Sequence, residues 1–313
     1  MKKLFVSILA IAALAACANE ELVSVNQEAI EFGGPFVENS TRTAIDPSYG
    51  ENGADLKLFN VYGTVNGGNG LVAIFAGDEV KGDVGANVWS CDVKQYWIKD
   101  ATYNFAALVN APATEGAVTL TDYLPTKVNG FTADGATDLM YAPSEEDIVG
   151  LATGNQPVDF TFDHLLSKVK FTVVNNSKAA AEYSFKVNNI TITGNKTGNV
   201  TLATKAWDTL SNPGAYDVAE IVVNKNTDNA GEECAQELLL IPGEFTIAFN
   251  VDIYNGTTKL GSQAYPIAPA TYKYNLTAGY SYNFVVNVAV GELIQFTVEE
   301  QPEWTSNGNT TLL

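Results

Sequence analysis

The chain has 313 residues, 46% hydrophobic and only 17% charged, a balance that suits a folded protein and excludes a disordered one. Its Val, Thr, Tyr, Phe and Ile, together with 26 glycines and two methionines, favour strands and turns over helices. The formal charge of −19 excludes nucleic acid as a partner, because phosphate binding needs clustered Lys and Arg; the acidic surface reads as soluble and self-repelling.

Lys2 and Lys3 open the chain, an apolar run covers residues 4–14, and Leu14-Ala15-Ala16-Cys17 follows. This order is a secretory leader, with an apolar run shorter than the ~20 residues of a membrane-spanning helix. Leu-Ala-Ala-Cys resembles the bacterial lipobox, in which the chain is cut between Ala16 and Cys17 and the Cys17 thiol carries palmitate-type acyl chains. Residues 1–16 are therefore read as a lipoprotein signal peptide, and the mature chain as held at the outer membrane by lipid on Cys17. Each buried CH₂ of that lipid contributes ~0.8 kcal/mol. Loss of Lys2 and Lys3 takes the formal charge from −19 to −21. Residues 17–28 read as an acidic tether, whose Asn19-Glu20-Glu21 resembles the surface-export signals of Bacteroidetes lipoproteins.

Strand signals begin at residue 29. Ile30 and Phe32 alternate around Glu31, and this short run ends at Asn39-Ser40-Thr41-Arg42-Thr43. Leu56 to Tyr62 reads as a strand, Gly67-Gly68-Asn69-Gly70 as a turn, and Leu71 to Phe75 as the returning strand. Residues 87–107 carry Trp89, Tyr96, Trp97, Tyr103 and Phe105, read as core and cross-strand aromatics. Ser144 to Pro157 is rich in Ser, Glu, Asp, Gly and Pro and is read as the interdomain connection. Beyond it Val158, Phe160 and Phe162 alternate. Val169, Phe171 and Val173 then alternate against Lys168, Lys170 and Thr172, as in a half-buried strand. Tyr183, Phe185 and Val187 repeat the pattern, and a slip at Asn188-Asn189 before Ile190 and Ile192 marks a bulge. Two long alternations follow, Phe245 to Ile253 and Tyr280 to Val290, and then Ile294, Phe296 and Val298 precede Trp304. Many strands, turns between them and no 3.6-residue stripe predict an all-β protein of antiparallel sandwiches. The expected division is 29–150 and 158–313.

No constellation for catalysis is evident. His164 is the one histidine and reads as structural or as a surface residue, since acid–base or metal chemistry needs partners the sequence does not bring near it. Cys91 lacks a neighbouring His; Cys91 and Cys234 read as separate buried thiols in preference to a disulfide. Asp46, Glu51, Asn52 and Asp55 do not have EF-hand spacing and read as a polar turn. Glu145, Glu146 and Asp147 read as linker charge and not as a glycosidase pair. The sequons at Asn189 and Asn195 read as strand-surface Asn and Thr. No catalytic residue, cofactor or metal is expected.

Several segments jointly carry a family likeness: the lipobox at Cys17, Ser40-Thr41-Arg42-Thr43, Tyr96-Trp97 with Tyr103-Asn104-Phe105-Ala106-Ala107, Met140-Tyr141-Ala142, Phe162 to Phe171, and Ala278-Gly279-Tyr280-Ser281-Tyr282 leading to Trp304. With them the chain resembles the fimbrillins of Bacteroidales, the subunits of type V pili and their lipoprotein relatives. The resemblance implies two transthyretin-like antiparallel β-sandwich domains in tandem. It also implies export as a lipoprotein, cleavage by a trypsin-like protease between Arg42 and Thr43, and loss of a first strand within 29–42 that includes Ile30, Phe32 and Phe36. A strand from another subunit, the same protein or a paralogue, would then fill the slot. The expected donor is 294–313, with Ile294, Phe296 and Val298 alternating and Trp304 as anchor. The open alternative is a surface lipoprotein that does not polymerise and binds glycan or host protein through faces such as Trp89 and Trp97.

Overall fold

The computed structural model describes residues 28–33, 36–37, 56–83, 88–177, 183–223, 232–233, 237–265 and 273–301. In chain order its strands are β1 (Phe36–Val37), β2 (Leu58–Asn66), β3 (Leu71–Asp83), β4 (Val88–Cys91), β5 (Thr102–Val109), β6 (Val118–Thr121), β7 (Leu124–Thr132), β8 (Met140–Val149), β9 (Thr161–His164) and β10 (Ser167–Asn175). They continue as β11 (Tyr183–Thr201), β12 (Ala206–Val218), β13 (Ile221–Val223), β14 (Glu232–Glu233), β15 (Leu238–Leu240), β16 (Gly243–Asn255), β17 (Thr258–Tyr265), β18 (Lys273–Leu276), β19 (Ser281–Val288) and β20 (Gln295–Gln301). One 3₁₀ turn at Leu202–Thr204 is the sole helical element among the described residues. The fold is all-β, as expected.

Three sheets form. A seven-stranded sheet runs β1-β9-β8-β5-β2-β3-β4. A five-stranded sheet runs β14-β10-β19-β20, with β15 also on β10. An eight-stranded sheet runs β17-β16-β11-β7-β6, with β12 and β13 on the other side of β11 and β18 on β16. Most pairs are antiparallel. β1–β9 and β10–β19 are parallel, a departure from the expected purely antiparallel pattern. Their partners are far apart in sequence, and a long connection permits the parallel return.

Buried side chains fall into two clusters. The second packs the five- and eight-stranded sheets face to face: Phe245 of β16 stacks on Phe284 of β19 at 5.3 Å, and Phe249 of β16 lies 6.0 Å from Phe296 of β20. The alternations at Phe245–Ile253 and Tyr282–Val288 are this interface. The first cluster lies on the seven-stranded sheet and holds Phe59, Val61, Phe75, Tyr103, Phe105 and Phe162. The opposite face of that same sheet sends Tyr62, Ala106, Leu108 and Tyr141 into the second cluster. Buried on both faces, β5 therefore reads as the continuous apolar run Phe105-Ala106-Ala107-Leu108-Val109.

Three expectations need correction. The segment read as a connection, 144–157, begins as strand: β8 runs to Val149 and pairs with β5 through two register shifts, which erase the alternation a sequence reading relies on. The passage from the first cluster to the second comes later, between Phe162 and Leu165. There His164, buried, has Nδ1 2.5 Å from Asp138 Oδ2, the Leu165 amide donates to Leu139 O, and Trp207 Nε1 donates to Leu165 O at 2.8 Å. The polar face of β10 is not exposed either: Lys168 and Thr172 are buried, because β10 sits inside its sheet, and Thr172 Oγ1 donates to Asn283. Finally Cys91 is a free, half-buried thiol that burial pushes above its ordinary pKa; Cys234 lies outside the described residues.

Other readings agree with the structure. The Gly-rich turn joins β2 to β3, with Gly68 and Gly70 at positive φ where an L side chain is strained. The slip at Asn188-Asn189 is a register shift between Asn188 and Thr191, with Asn189 at φ 51.

Phe284 is fully buried against Phe171, Phe245 and Phe296. Phe284→Ala should lower unfolding free energy by ~3–5 kcal/mol. Urea unfolding followed by tryptophan fluorescence should show the midpoint falling with the slope m unchanged.

Candidate functional site

The first core has an unusual wall. The N-terminal segment, residues 28–33 and 36–37, is laid between the chain leading into β9 and the chain around β4, and its last part, β1, is the edge of the seven-stranded sheet. On one side it runs parallel to 158–162, with Phe32 opposite Val158, Phe36 opposite Thr161 and Val37 opposite Phe162. On the other it runs antiparallel to the chain around β4, with Ala29 opposite Tyr96 and Phe32 opposite Trp89. Its backbone is paired both ways: Ile30 N donates to Gln95 O and Trp97 N to Glu28 O, while Gly33 N donates to Val158 O and Val158 N to Glu31 O, all within 2.8–3.0 Å.

Alternation decides what faces inward. Ile30 and Phe32 are 7% and 6% exposed, while Glu31 between them is exposed. The Phe32 ring meets Phe75 at 5.4 Å, Phe160 at 6.1 Å and Phe59 at 6.3 Å. Each such burial stabilises by ~1.5–3 kcal/mol. The 95–97 wall is itself held from inside: the Ile98 amide donates to buried Tyr103 Oη, which donates on to Tyr96 O. A Cβ at Gly33 would lie 1.7 Å from Asp159 Oδ1, so a side chain there requires the exposed Asp159 carboxylate to move.

Glu28 fixes the segment's start. Its carboxylate accepts from the Gly154 amide at 2.7 Å, the Asn155 amide at 2.9 Å and Asn155 Nδ2 at 2.8 Å. These bonds, the Gly154 amide first, hold its pKa below the ordinary glutamate value. Sequence reading put Glu28 at the end of a tether and did not single out Gly33, Asn155 or Asp159. One signal was present: 28, 30 and 32 share strand parity, so the ordered strand extends one step earlier than the apolar pair alone suggests.

The other expected site residues are distributed unevenly. Ile294, Phe296 and Val298 are half-buried against the second core, on and beside β20, which pairs antiparallel with β19 from Asn287–Gln295 to Ser281–Gln301. Phe296 lies 5.2–6.0 Å from Tyr265, Phe284, Tyr274 and Phe249. The structure thus does not bring 294–298 to the 28–37 slot within one chain. Ala16, Cys17, Arg42, Thr43 and Trp304 lie outside the described residues, as do Asp46, Glu51, Asn52 and Asp55. Trp89 and Trp97, read from the sequence as core aromatics and offered as binding faces only in the alternative reading, are 8% and 4% exposed, as the core reading expects. Trp97 packs edge-on against Tyr103 at 4.7 Å, and Trp89 on Phe59 at 5.4 Å; both complete the core around the inserted strand.

A family model described as fimbrillin-like matches residues 41–302. The chain belongs to the fimbrillin-like family. No curated protein matches it in sequence. Among solved structures, this fimbrillin-like chain is similar to a fimbrial protein from Bacteroides vulgatus, with TM-score 0.58 and 14% identity over 88% of this chain and 99% of that one. It is similar also to proteins provisionally assigned to cell adhesion from Bacteroides ovatus, with TM-score 0.55 and 14% identity over 90% and 99%, and from Bacteroides uniformis, with TM-score 0.51 and 16% identity over 90% and 99%. At these identities the likeness establishes a shared fold.

The Glu28 cradle should be visible to pH. Because its folded pKa is lowered, its contribution is present above the unfolded value, near 4.5, and is lost as pH falls through the lower folded value. The amide resonances of Gly154 and Asn155 should titrate together below pH ~4.5, the ordinary glutamate range. In Glu28→Gln the same resonances should be flat over that window.

Proposed function

We propose that this protein is a structural or adhesive subunit of a bacterial surface fimbria, exported as a lipoprotein precursor and polymerised by protease-triggered strand exchange. Membership of the fimbrillin-like family supports the coarse part, a non-enzymatic fimbrial or adhesion subunit that associates with other subunits at the cell surface. One observation carries the finer part: the strand at residues 28–33 is held on both sides by backbone bonds, caps an aromatic core, and lies upstream of Arg42. Cutting after Arg42 leaves that strand with no covalent link to the rest of the fold.

Removal of the strand uncovers the Gln95 and Val158 carbonyls, the Trp97 and Val158 amides, and the apolar slot of Ile30 and Phe32. Unpaired strand edges and an apolar groove bind an added strand by main-chain hydrogen bonds, with side-chain pockets giving selectivity. In the proposed exchange the C-terminal segment 294–313 of a neighbouring subunit fills the slot. β20 is an edge strand and can leave β19 without breaking any other ladder. The contact is head-to-tail and does not close on itself, so it propagates a filament. The division into 29–150 and 158–313 belongs to this reading. Two core clusters favour two units, but Val158, Phe160 and Phe162 pack with the first, and the β6–β7 hairpin, pairing through β7 with β11, ties the halves together.

Arg42→Ala should retain residues 17–42 on a lipidated chain and abolish high-molecular-weight material sheared from cells. Wild-type material should begin at Thr43. N-terminal sequencing and intact mass check both, and an intact Cys17 terminus on wild-type polymer would sink the exchange.

A further inference from the structure

The strand that fills the slot and the strand proposed to replace it share a sequence pattern. Glu28-Ala29-Ile30-Glu31-Phe32 occupies the groove, and Glu292-Leu293-Ile294-Gln295-Phe296 leads into β20. The two are identical at the first, third and fifth positions and differ by Glu for Gln at the fourth. In the groove these positions have distinct tasks: 28 accepts the Gly154 and Asn155 amides, 30 and 32 fill the core, and 31 is exposed. We infer that residues 292–296 of a second copy of this chain enter the slot in one register, parallel to the displaced strand, with Glu292 in the place of Glu28, Ile294 in that of Ile30 and Phe296 in that of Phe32. The inference rests on the strand-exchange reading above and adds the register, the direction and a self-recognising partner.

The remaining position supports the same register. Leu293 is the most exposed large hydrophobic side chain among the described residues, at 68%. It lies in the connection between β19 and β20, outside either strand. In the inferred register it takes the place of Ala29, opposite Tyr96, which is 46% exposed; Ile98, two residues along the same edge, is 43% exposed. Two otherwise solvated apolar surfaces then cover each other at the mouth of the slot, where large exposed apolar groups mark an interaction site. Slipping the register by one residue would turn Ile294 and Phe296 outward and drive Leu293 and Gln295 into the core.

The correspondence stops after Phe296. Thr297 follows where Gly33 stood, and a Cβ at that point would meet Asp159 Oδ1. Asp159 is an exposed side chain, so it can swing outward, and the Thr297 hydroxyl can then donate to its carboxylate. The resident strand fits this point with no side chain at all; the incoming one requires Asp159 to move.

Cysteine pairing tests the register. Ala29 and Tyr96 form a pair flanked by the bonds Ile30 N to Gln95 O and Trp97 N to Glu28 O, hence the closely spaced kind, with Cα atoms ~4.5 Å apart and suited to a disulfide. In a Cys91→Ser, Cys234→Ser background, Ala29→Cys with Tyr96→Cys should close an intrachain disulfide in the uncleaved protein, which calibrates the geometry. Tyr96→Cys with Leu293→Cys should then convert sheared polymer into a covalent ladder of subunit multiples on a non-reducing gel, lost on reduction. Tyr96→Cys with Ile294→Cys should give none. Polymer that begins at Thr43 but cross-links equally at 294, or not at 293, overturns the register and leaves strand exchange standing. Chains that neither lose residues before Thr43 nor polymerise overturn both. Wild-type polymer supplies a reading free of substitutions: hydrogen exchange at the Gly154 and Asn155 amides should be protected, and Glu292→Gln should remove that protection while Trp97 and Val158 keep theirs. Unprotected Gly154 and Asn155 in wild-type polymer would overturn the role of Glu292.

Discussion

The structure depends on one strand being paired on both sides by chain far from it in sequence. Residues 28–33 satisfy main-chain donors and acceptors on 95–97 and at Val158 at once, 36–37 pair with β9, and the inward side chains of Ile30 and Phe32 seal the first core. A buried amide or carbonyl left unpaired costs ~1–3 kcal/mol, and each large side chain withdrawn forfeits a comparable amount. Those losses together approach the net stability of a whole domain, ~5–15 kcal/mol. The strand is therefore either present or replaced by an equivalent; an empty slot is not a comfortable resting state. The proposed strand exchange rests on that constraint more directly than on any individual side chain.

Much of this was legible in the sequence where the physics is local. Period-two alternation located β16 and β19, the glycine turn joined β2 to β3, and the Asn188-Asn189 slip marked a real bulge. The rest required knowledge of which strands meet. β5 is apolar on consecutive residues because both of its faces are buried, which a single segment cannot reveal. The acid-rich start of 144–157 looked like a linker because bulges against β5 break its period, although the ladder itself imposes no charge rule on outward positions. Trp89 and Trp97 were legible as core aromatics, but not the partner that covers them, because the strand that closes over them lies about sixty residues upstream. Glu28 was invisible as an anchor because its three donors sit more than a hundred residues away.

The two cores are not independent beads. The seven-stranded sheet contributes its outer face to the second cluster, and the β6–β7 hairpin extends the eight-stranded sheet through β7 and β11. The chain crosses between cores at a point fastened by His164 with Asp138 and by Trp207 with the Leu165 carbonyl. In the proposed filament, tension would enter at the groove in the first core and leave through β20 in the second, and these contacts between the cores lie on its path.

Charge sharpens the question of what drives association. A chain with a formal charge of −19 repels its copies over the ~8 Å reach of unscreened fields at physiological salt. Subunits are thus not steered together, and the attraction must be short-ranged: main-chain pairing, apolar side chains in pockets, and a carboxylate met by amides. Repulsion between whole surfaces and complementarity confined to one slot have a joint consequence. Sticking by any other face is penalised while the proposed strand contact is not, so the same acidity that keeps copies apart would favour the single geometry in which a strand replaces a strand.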